Sequence, residues 1–245
     1  MAYGDSIIQQ DLNFTIYHGD IFIIMGLSGC GKSTLLRHMV GLIQPTKGDI
    51  FYNGESFWNA DEIQQKNIMK KLGIAYQSGA LWSSLTLEEN VALPLEEYTN
   101  HDTDTIKALC SLKLAQVGLS GFEGFYPAEI SGGMKKRVGL ARAMALDPEI
   151  LFFDEPSAGL DPISAYLLDE LIVNIRDNLN STIVIVTHEL ASINNIANNS
   201  VFLDLVSKTQ ISGGDPQILL QESKDPRIID FLTRGKGIQN IKSNC

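Results

Sequence analysis

Short runs of consecutive apolar residues alternate along this chain with longer stretches in which apolar positions recur every three or four residues. Ile21 to Met25, Ile150 to Phe153 and Thr182 to Thr187 are of the first kind, and they predict strands buried on both faces of a sheet. Gly73 to Gln77 predicts a shorter strand with a polar end, and two more are expected near 200–204 and 209–211. Leu35, Leu36, Met39 and Val40 share one face of a helix that Gly41 terminates. Leu12, Phe14 and Ile16 alternate with polar neighbours, which predicts a half-buried antiparallel strand, and Asn53-Gly54 predicts a hairpin turn after 49–52. Helices are expected over 62–72, 163–178 and 216–222, with a last one from Asp225-Pro226.

From Ser84 the periodicity becomes helical. Thr86-Leu87-Glu88-Glu89 is a capping box opening a helix toward Leu93, with Pro94 as its stop. Residues 100–105 read as a loop, and 105–117 as an amphipathic helix burying Ile106, Leu109, Cys110 and Leu114. Ser131-Gly132-Gly133 caps a helix from Met134 to Ala145 that carries Lys135, Arg137 and Arg142 on its polar side. The fold expected is α/β: one domain with a mostly parallel sheet and an all-helical insertion near 85–145. Residues 1–84 and 146–222 form its core, and 223–245 a C-terminal helix and tail.

Composition narrows the partners. The 245 residues are 44% hydrophobic and 20% charged, ordinary for a globular domain, and 29 acidic against 19 basic residues give a net charge of −10. That balance argues against a nucleic-acid surface. Cys30, Cys110 and Cys245 are odd in number and lack metal-ligand spacing, which fits a reducing compartment. With no run of about 18 apolar residues and no secretory signal pattern, membrane contact is expected through partners only.

Gly26-Leu27-Ser28-Gly29-Cys30-Gly31-Lys32-Ser33-Thr34 joins a strand to a helix in the pattern G-x-x-x-x-G-K-[ST]. Glycines let the backbone fold so that N–H groups wrap a phosphate, and the helix N-terminus adds positive potential. Lys32 would reach the β- and γ-phosphates, and Ser33 would take one place on Mg²⁺. Asp154-Glu155 ends an apolar strand: the first acid suits Mg²⁺, the second a proton from an attacking water. Gln77 and His188 also follow strands, where an amide can touch Mg²⁺ and an imidazole a phosphate. Each alone is more often a structural polar residue, and Ser131–Gly133 alone more often a simple cap. As a second anion site on the same chain, Ser131–Gly133 instead implies two copies completing each other's sites. Cys30 reads either as a thiol-reagent target or as an inert small residue.

These motifs, with Ser157-Ala158-Gly159-Leu160-Asp161 after the acidic pair, resemble in order and spacing the nucleotide-binding subunits of ABC transporters over residues 3–222. The resemblance implies a P-loop NTPase (RecA-like) core with an antiparallel β subdomain and a helical subdomain. It implies ATP with Mg²⁺, hydrolysed in a head-to-tail homodimer. Lys32, Ser33, Gln77, Asp154, Glu155 and His188 of one copy would face Ser131–Gly133 of the other, with Asp161 between the sites and Tyr3 stacked on adenine. Here only Met1 and Ala2 precede Tyr3, where the family has a strand. Gln77 to Trp82, Glu89 to Leu95, Met134 and Asp225-Pro226-Arg227 look more narrowly like the ATPases of phospholipid-trafficking, Mla-type transporters. In that group the partners are a multi-pass permease and an MCE-domain lipid-binding protein, and the subunit sits on the cytoplasmic face of the inner membrane. An importer subunit for a small polar solute would share the same motifs. A soluble cassette ATPase acting on DNA or ribosomes fits the acidic balance poorly.

Overall fold

The computed structural model describes residues 1–4 and 6–235; the tail from 236, including Cys245, lies outside the described residues, as does the Tyr3 side chain. Ten strands and nine α-helices are present among them. The strands are β1 (Ala2–Tyr3), β2 (Ser6–Ile7), β3 (Ile21–Met25), β4 (Phe51–Tyr52), β5 (Glu55–Ser56), β6 (Leu72–Ala75), β7 (Ile150–Asp154), β8 (Thr182–Val186), β9 (Asn199–Leu203) and β10 (Gln210–Gly213). The helices are α1 (Lys32–Met39), α2 (Glu62–Met69), α3 (Leu87–Tyr98), α4 (Thr103–Gln116), α5 (Gly132–Ala143), α6 (Pro162–Leu179), α7 (Leu190–Ile196), α8 (Pro216–Glu222) and α9 (Pro226–Thr233).

The central sheet has the order β10-β9-β3-β8-β7-β6, parallel except for the antiparallel β10 edge. Its strands are apolar on consecutive positions because both faces are covered. Ile21, Ile23 and Met25 of β3 face a core shared with α3, α5, α6, α7 and α9, whereas Phe22 and Ile24 face α1. β1 with β2 and β4 with β5 form two small antiparallel ribbons, and Asn53 and Gly54 both take positive φ in the hairpin, as a type I′ turn requires. Between β6 and β7 the chain is entirely helical, so the structure is a P-loop NTPase core with an antiparallel β portion and a helical insertion.

Three expectations about the elements are corrected. Residues 11–17 alternate in burial as expected, with Phe14 stacked on Phe22 at 5.4 Å, but they join no strand. Their neighbour is the Gln210 side chain, which donates to Asn13 O and accepts from Asn13 N–H, so the segment pairs with an amide rather than a ladder. Pro94 does not end α3, which runs on to Tyr98. Leu87, Val91, Ala92 and Leu95 are all buried on one face, and that burial outweighs the roughly 3 kcal/mol cost of an interior proline. The loop expected over 100–105 is shorter, because Asp102 caps α4 by accepting from Thr105 N–H.

The insertion is held against the sheet by close approach. Gly139 of α5 lies over Gly79: a Cβ at 139 would come within 2.8 Å of Gly79 Cα. Arg142, expected on a polar face, instead packs inward and donates to the Gly79 and Ala80 carbonyls at 2.7 and 3.0 Å. Its guanidinium neutralises carbonyls that no strand reaches.

Asp169 of α6 is 2% exposed, and burial, countered by hydrogen bonds from Ser192 and Asn195, raises its pKa from the ordinary 3.8 to about 6. The native state therefore binds a proton that the unfolded chain has lost between those values, so stability falls as pH rises through that window. Asp169→Asn should raise Tm at pH 7.5 by several degrees, on the order of 2 kcal/mol, and by much less at pH 4, as read by thermal melts at both values. Equal shifts at the two pH values would refute the assignment.

Candidate functional site

The parallel strands deliver their loops to one edge of the sheet, where ligands of open α/β folds bind. After β3 comes Gly26–Gly31. Gly26 has φ of 149°, and a Cβ there would fall 2.4 Å from Leu203 O, so only glycine lets the loop turn against the end of β9. Lys32 is 7% exposed, and its ammonium donates to Gly26 O at 2.8 Å and Leu27 O at 3.2 Å, which places the charge over the loop rather than in solvent. Ser33 Oγ donates to Asp154 Oδ1 at 2.9 Å, joining α1 to the end of β7. Burial raises the Asp154 pKa, offset in part by that Ser33 bond.

Glu155 follows with φ of 50°, a strained conformation for a non-glycine residue, held by its N–H on Val186 O at 2.8 Å. The kink turns its carboxylate toward β8, where Oε1 accepts from His188 Nδ1 at 2.8 Å. Oε2 is buried and has no partner among the described residues. With Nδ1–H engaged, Nε2 can donate to a phosphate only when the ring is protonated. Lys32, Ser33, Asp154, Glu155 and His188 thus converge. The arrangement can cradle phosphate, offer oxygens to a hard cation and accept a proton from water.

Gln77 is exposed just beyond β6, the strand next to β7, where Ala75 lies opposite Phe153; it therefore emerges on the same side of the sheet as Asp154 and Glu155, without a described hydrogen bond to either. Ser131 caps α5 by accepting from Met134 N–H at 3.2 Å, and Ser131 and Gly132 are exposed. No described hydrogen bond joins them to Lys32. Instead Gly133 packs near Leu160, and Lys136 donates to the carbonyls of Pro156, at 2.7 Å, and Ala158. Asp161 is fully exposed and caps α6 through Ile163 and Ser164 N–H groups, whose bonds lower its pKa. Lys136 and Gln9 were not singled out in the sequence. Gln9 is wholly buried beneath the loop, and its one signal was a polar residue beside the apolar Ile7-Ile8.

Fold and site together define an ATP-binding cassette: a P-loop edge, an acidic pair one strand from it, and a helical insertion beside both. The chain belongs to the ABC transporter family, whose model matches residues 9–158. It is 37% identical over 229 residues to the intermembrane phospholipid transport system ATP-binding protein MlaF of Haemophilus influenzae, covering 94% of this chain and 86% of that one. It is also 37% identical over 231 residues to the probable ribonucleotide transport ATP-binding protein mkl of Mycobacterium tuberculosis, of which it spans only 64%. Among solved structures it resembles the dimeric, post-hydrolysis ATP-binding cassette MJ0796 bound to ADP and Pi, with TM-score 0.76 and 27% identity over 85% of this chain and 90% of that one. A second is cbiO1 from Clostridium perfringens, part of the ABC transporter complex cbiONQ, at TM-score 0.81 and 25% identity over 98% and 95%.

The structure decides between the two readings of Cys30. It is 1% exposed and burial raises its pKa, so the thiolate is scarce and inaccessible. Iodoacetamide should label Cys30 more than about tenfold slower than an exposed thiol until the protein unfolds, as followed by peptide mass spectrometry. Rapid labelling of the native protein would restore the reactive reading.

Proposed function

We propose that this chain is the ATP-hydrolysing subunit of an ABC transporter and powers phospholipid movement through a multi-pass permease. The observation that carries hydrolysis is the Glu155 carboxylate, one oxygen held by His188 and the other buried without a partner. Fixed in this way, Glu155 takes the proton of an attacking water, and His188 holds its orientation. Lys32 binds the outer phosphates, while Ser33 and Asp154 would hold Mg²⁺, which would neutralise phosphate charge. Oxygen donors suit that cation. Among the described residues no cluster of three or more His, Cys, Asp or Glu could hold a metal alone, consistent with an ion shared with the nucleotide.

Two copies stack head to tail, so that exposed Ser131–Gly133 of one meets the nucleotide of the other, with Asp161 between the sites and Gln77 beside Asp154 and Glu155. The dimeric state of the solved cassette supports this arrangement. Coverage of 86% of a relative named for intermembrane phospholipid transport supports the cargo. An MCE-domain lipid-binding protein completes the assembly, in which this subunit sits on the cytoplasmic face of the inner membrane. No helix among the described residues is long and apolar enough to cross a membrane, so the permease would make the anchorage. A second reading, import of a small polar solute, draws on the equal identity to the mycobacterial protein named for ribonucleotide transport.

Glu155→Gln should bind ATP, lose at least about 100-fold in turnover and accumulate as a dimer in size-exclusion chromatography with ATP. Normal turnover would remove Glu155 from the base role. Lys32→Ala should weaken ATP binding by about 1.5–3 kcal/mol in calorimetry, and unchanged affinity would undo the phosphate-loop assignment. Purification with membrane partners, followed by mass spectrometry, should recover a permease, an MCE-domain protein and phospholipid. A solute-binding protein in their place would favour the second reading.

A further inference from the structure

Beneath the phosphate loop lies a polar residue that none of the steps above uses. Gln9 is 0% exposed, and its Nε2 donates to Cys30 O at 2.7 Å and to Asp204 O at 2.9 Å. A primary amide carries two N–H hydrogens, so both are committed. One bond holds the loop and the other holds the residue that follows β9. We propose that Gln9 is a positioning residue of the nucleotide site, fixing the Cys30–Gly31 peptide so that the Gly31 N–H faces the bound phosphate. The inference rests on the reading of Gly26–Thr34 as a nucleotide phosphate site.

The peptide plane supplies the reasoning. In a trans peptide the C=O and the following N–H point in opposite directions. Gln9 draws the Cys30 carbonyl to the outer side of the loop, so the Gly31 N–H is turned to the inner side. That N–H is bonded to no described residue. The outer side is closed by packing: a Cβ on Gly31 would lie 2.6 Å from Ile8 Cγ2 and 3.4 Å from Gln9 Cγ.

The far anchor is rigid as well. Asp204 is 5% exposed, and its Oδ2 accepts from Ser207 N–H at 2.7 Å, Ser207 Oγ at 2.6 Å and Arg227 Nη1 at 3.0 Å. The amide therefore braces the loop on a fixed point shared by β9 and α9. Packing alone does not account for a glutamine here. Its Oε1 is buried without a partner among the described residues, a cost that an apolar side chain of the same volume would avoid. The two donated bonds are what distinguish glutamine from such a residue.

Gln9→Met keeps the length and volume and removes both donors. ADP binding by calorimetry should be about tenfold weaker, and KM for ATP should rise about as much while kcat changes less than about threefold. A merely structural residue would lower Tm and leave the affinity of the folded fraction unchanged. Q9M protein with a native circular-dichroism spectrum and ADP affinity within twofold of the unsubstituted chain would overturn the proposal. If the unsubstituted chain itself fails to bind ADP, the nucleotide reading falls and the Gln9 proposal with it. Should the variant not fold, ¹⁵N spectra of the unsubstituted chain decide. The Gly31 backbone amide and the Gln9 side-chain amide should both shift on addition of ADP, and an unmoved Gly31 signal would overturn the proposal.

Discussion

The parallel pairing of β3 with β8 on one side and β9 on the other is the constraint on which the site depends. Phe22 to Ile24 lie opposite Val184 to Val186 in β8, and Asp154 at the end of β7 lies opposite Val186. In a parallel ladder a shift of one residue would turn every side chain to the other face, and both faces here are apolar and covered. The register is therefore held along its whole length. Because β3, β7 and β8 end together, the phosphate loop, the acidic pair and His188 emerge at one edge within reach of each other.

The loop is pinned from the outside by parts of the chain distant in sequence. Leu203 O crowds Gly26, Gln9 bonds Cys30, and Arg227 braces Asp204. The helical insertion is tied with comparable care. Lys136 reaches the carbonyls after Glu155, and Arg142 reaches those after β6. Two side chains of α5 thus contact segments beside the site, on the helix whose N-terminus is Ser131–Gly133. Such ties give a rigid path from the acidic pair to the exposed helix N-terminus proposed to meet a second copy.

Most of the elements were legible because their signals are local. The apolar runs of β3, β7 and β8, the capping box at Thr86 and the turn at Asn53-Gly54 depend on nearest neighbours, and the structure follows them. Pro94 and residues 11–17 were misread for one shared reason. A proline's penalty is local, but the burial of Leu95 that overrides it is not. An alternating pattern signals a strand, yet whether a ladder forms depends on what lies alongside, and here that is the Gln210 amide.

The sequence by itself determined the chemistry available: a glycine-rich loop with Lys32 and Ser33, an acidic pair, and His188 after a strand, all in the family's order. Residue type and spacing suffice there, because a phosphate loop works through its own consecutive backbone groups. Only the tertiary structure decided which of those residues meet. It joined Ser33 to Asp154 and Glu155 to His188, brought Gln77 out beside the end of β7, buried Cys30 and placed Gln9 under the loop. Contacts such as that of Ser33 with Asp154, 121 positions on, arise from sheet order and register, which no local pattern encodes.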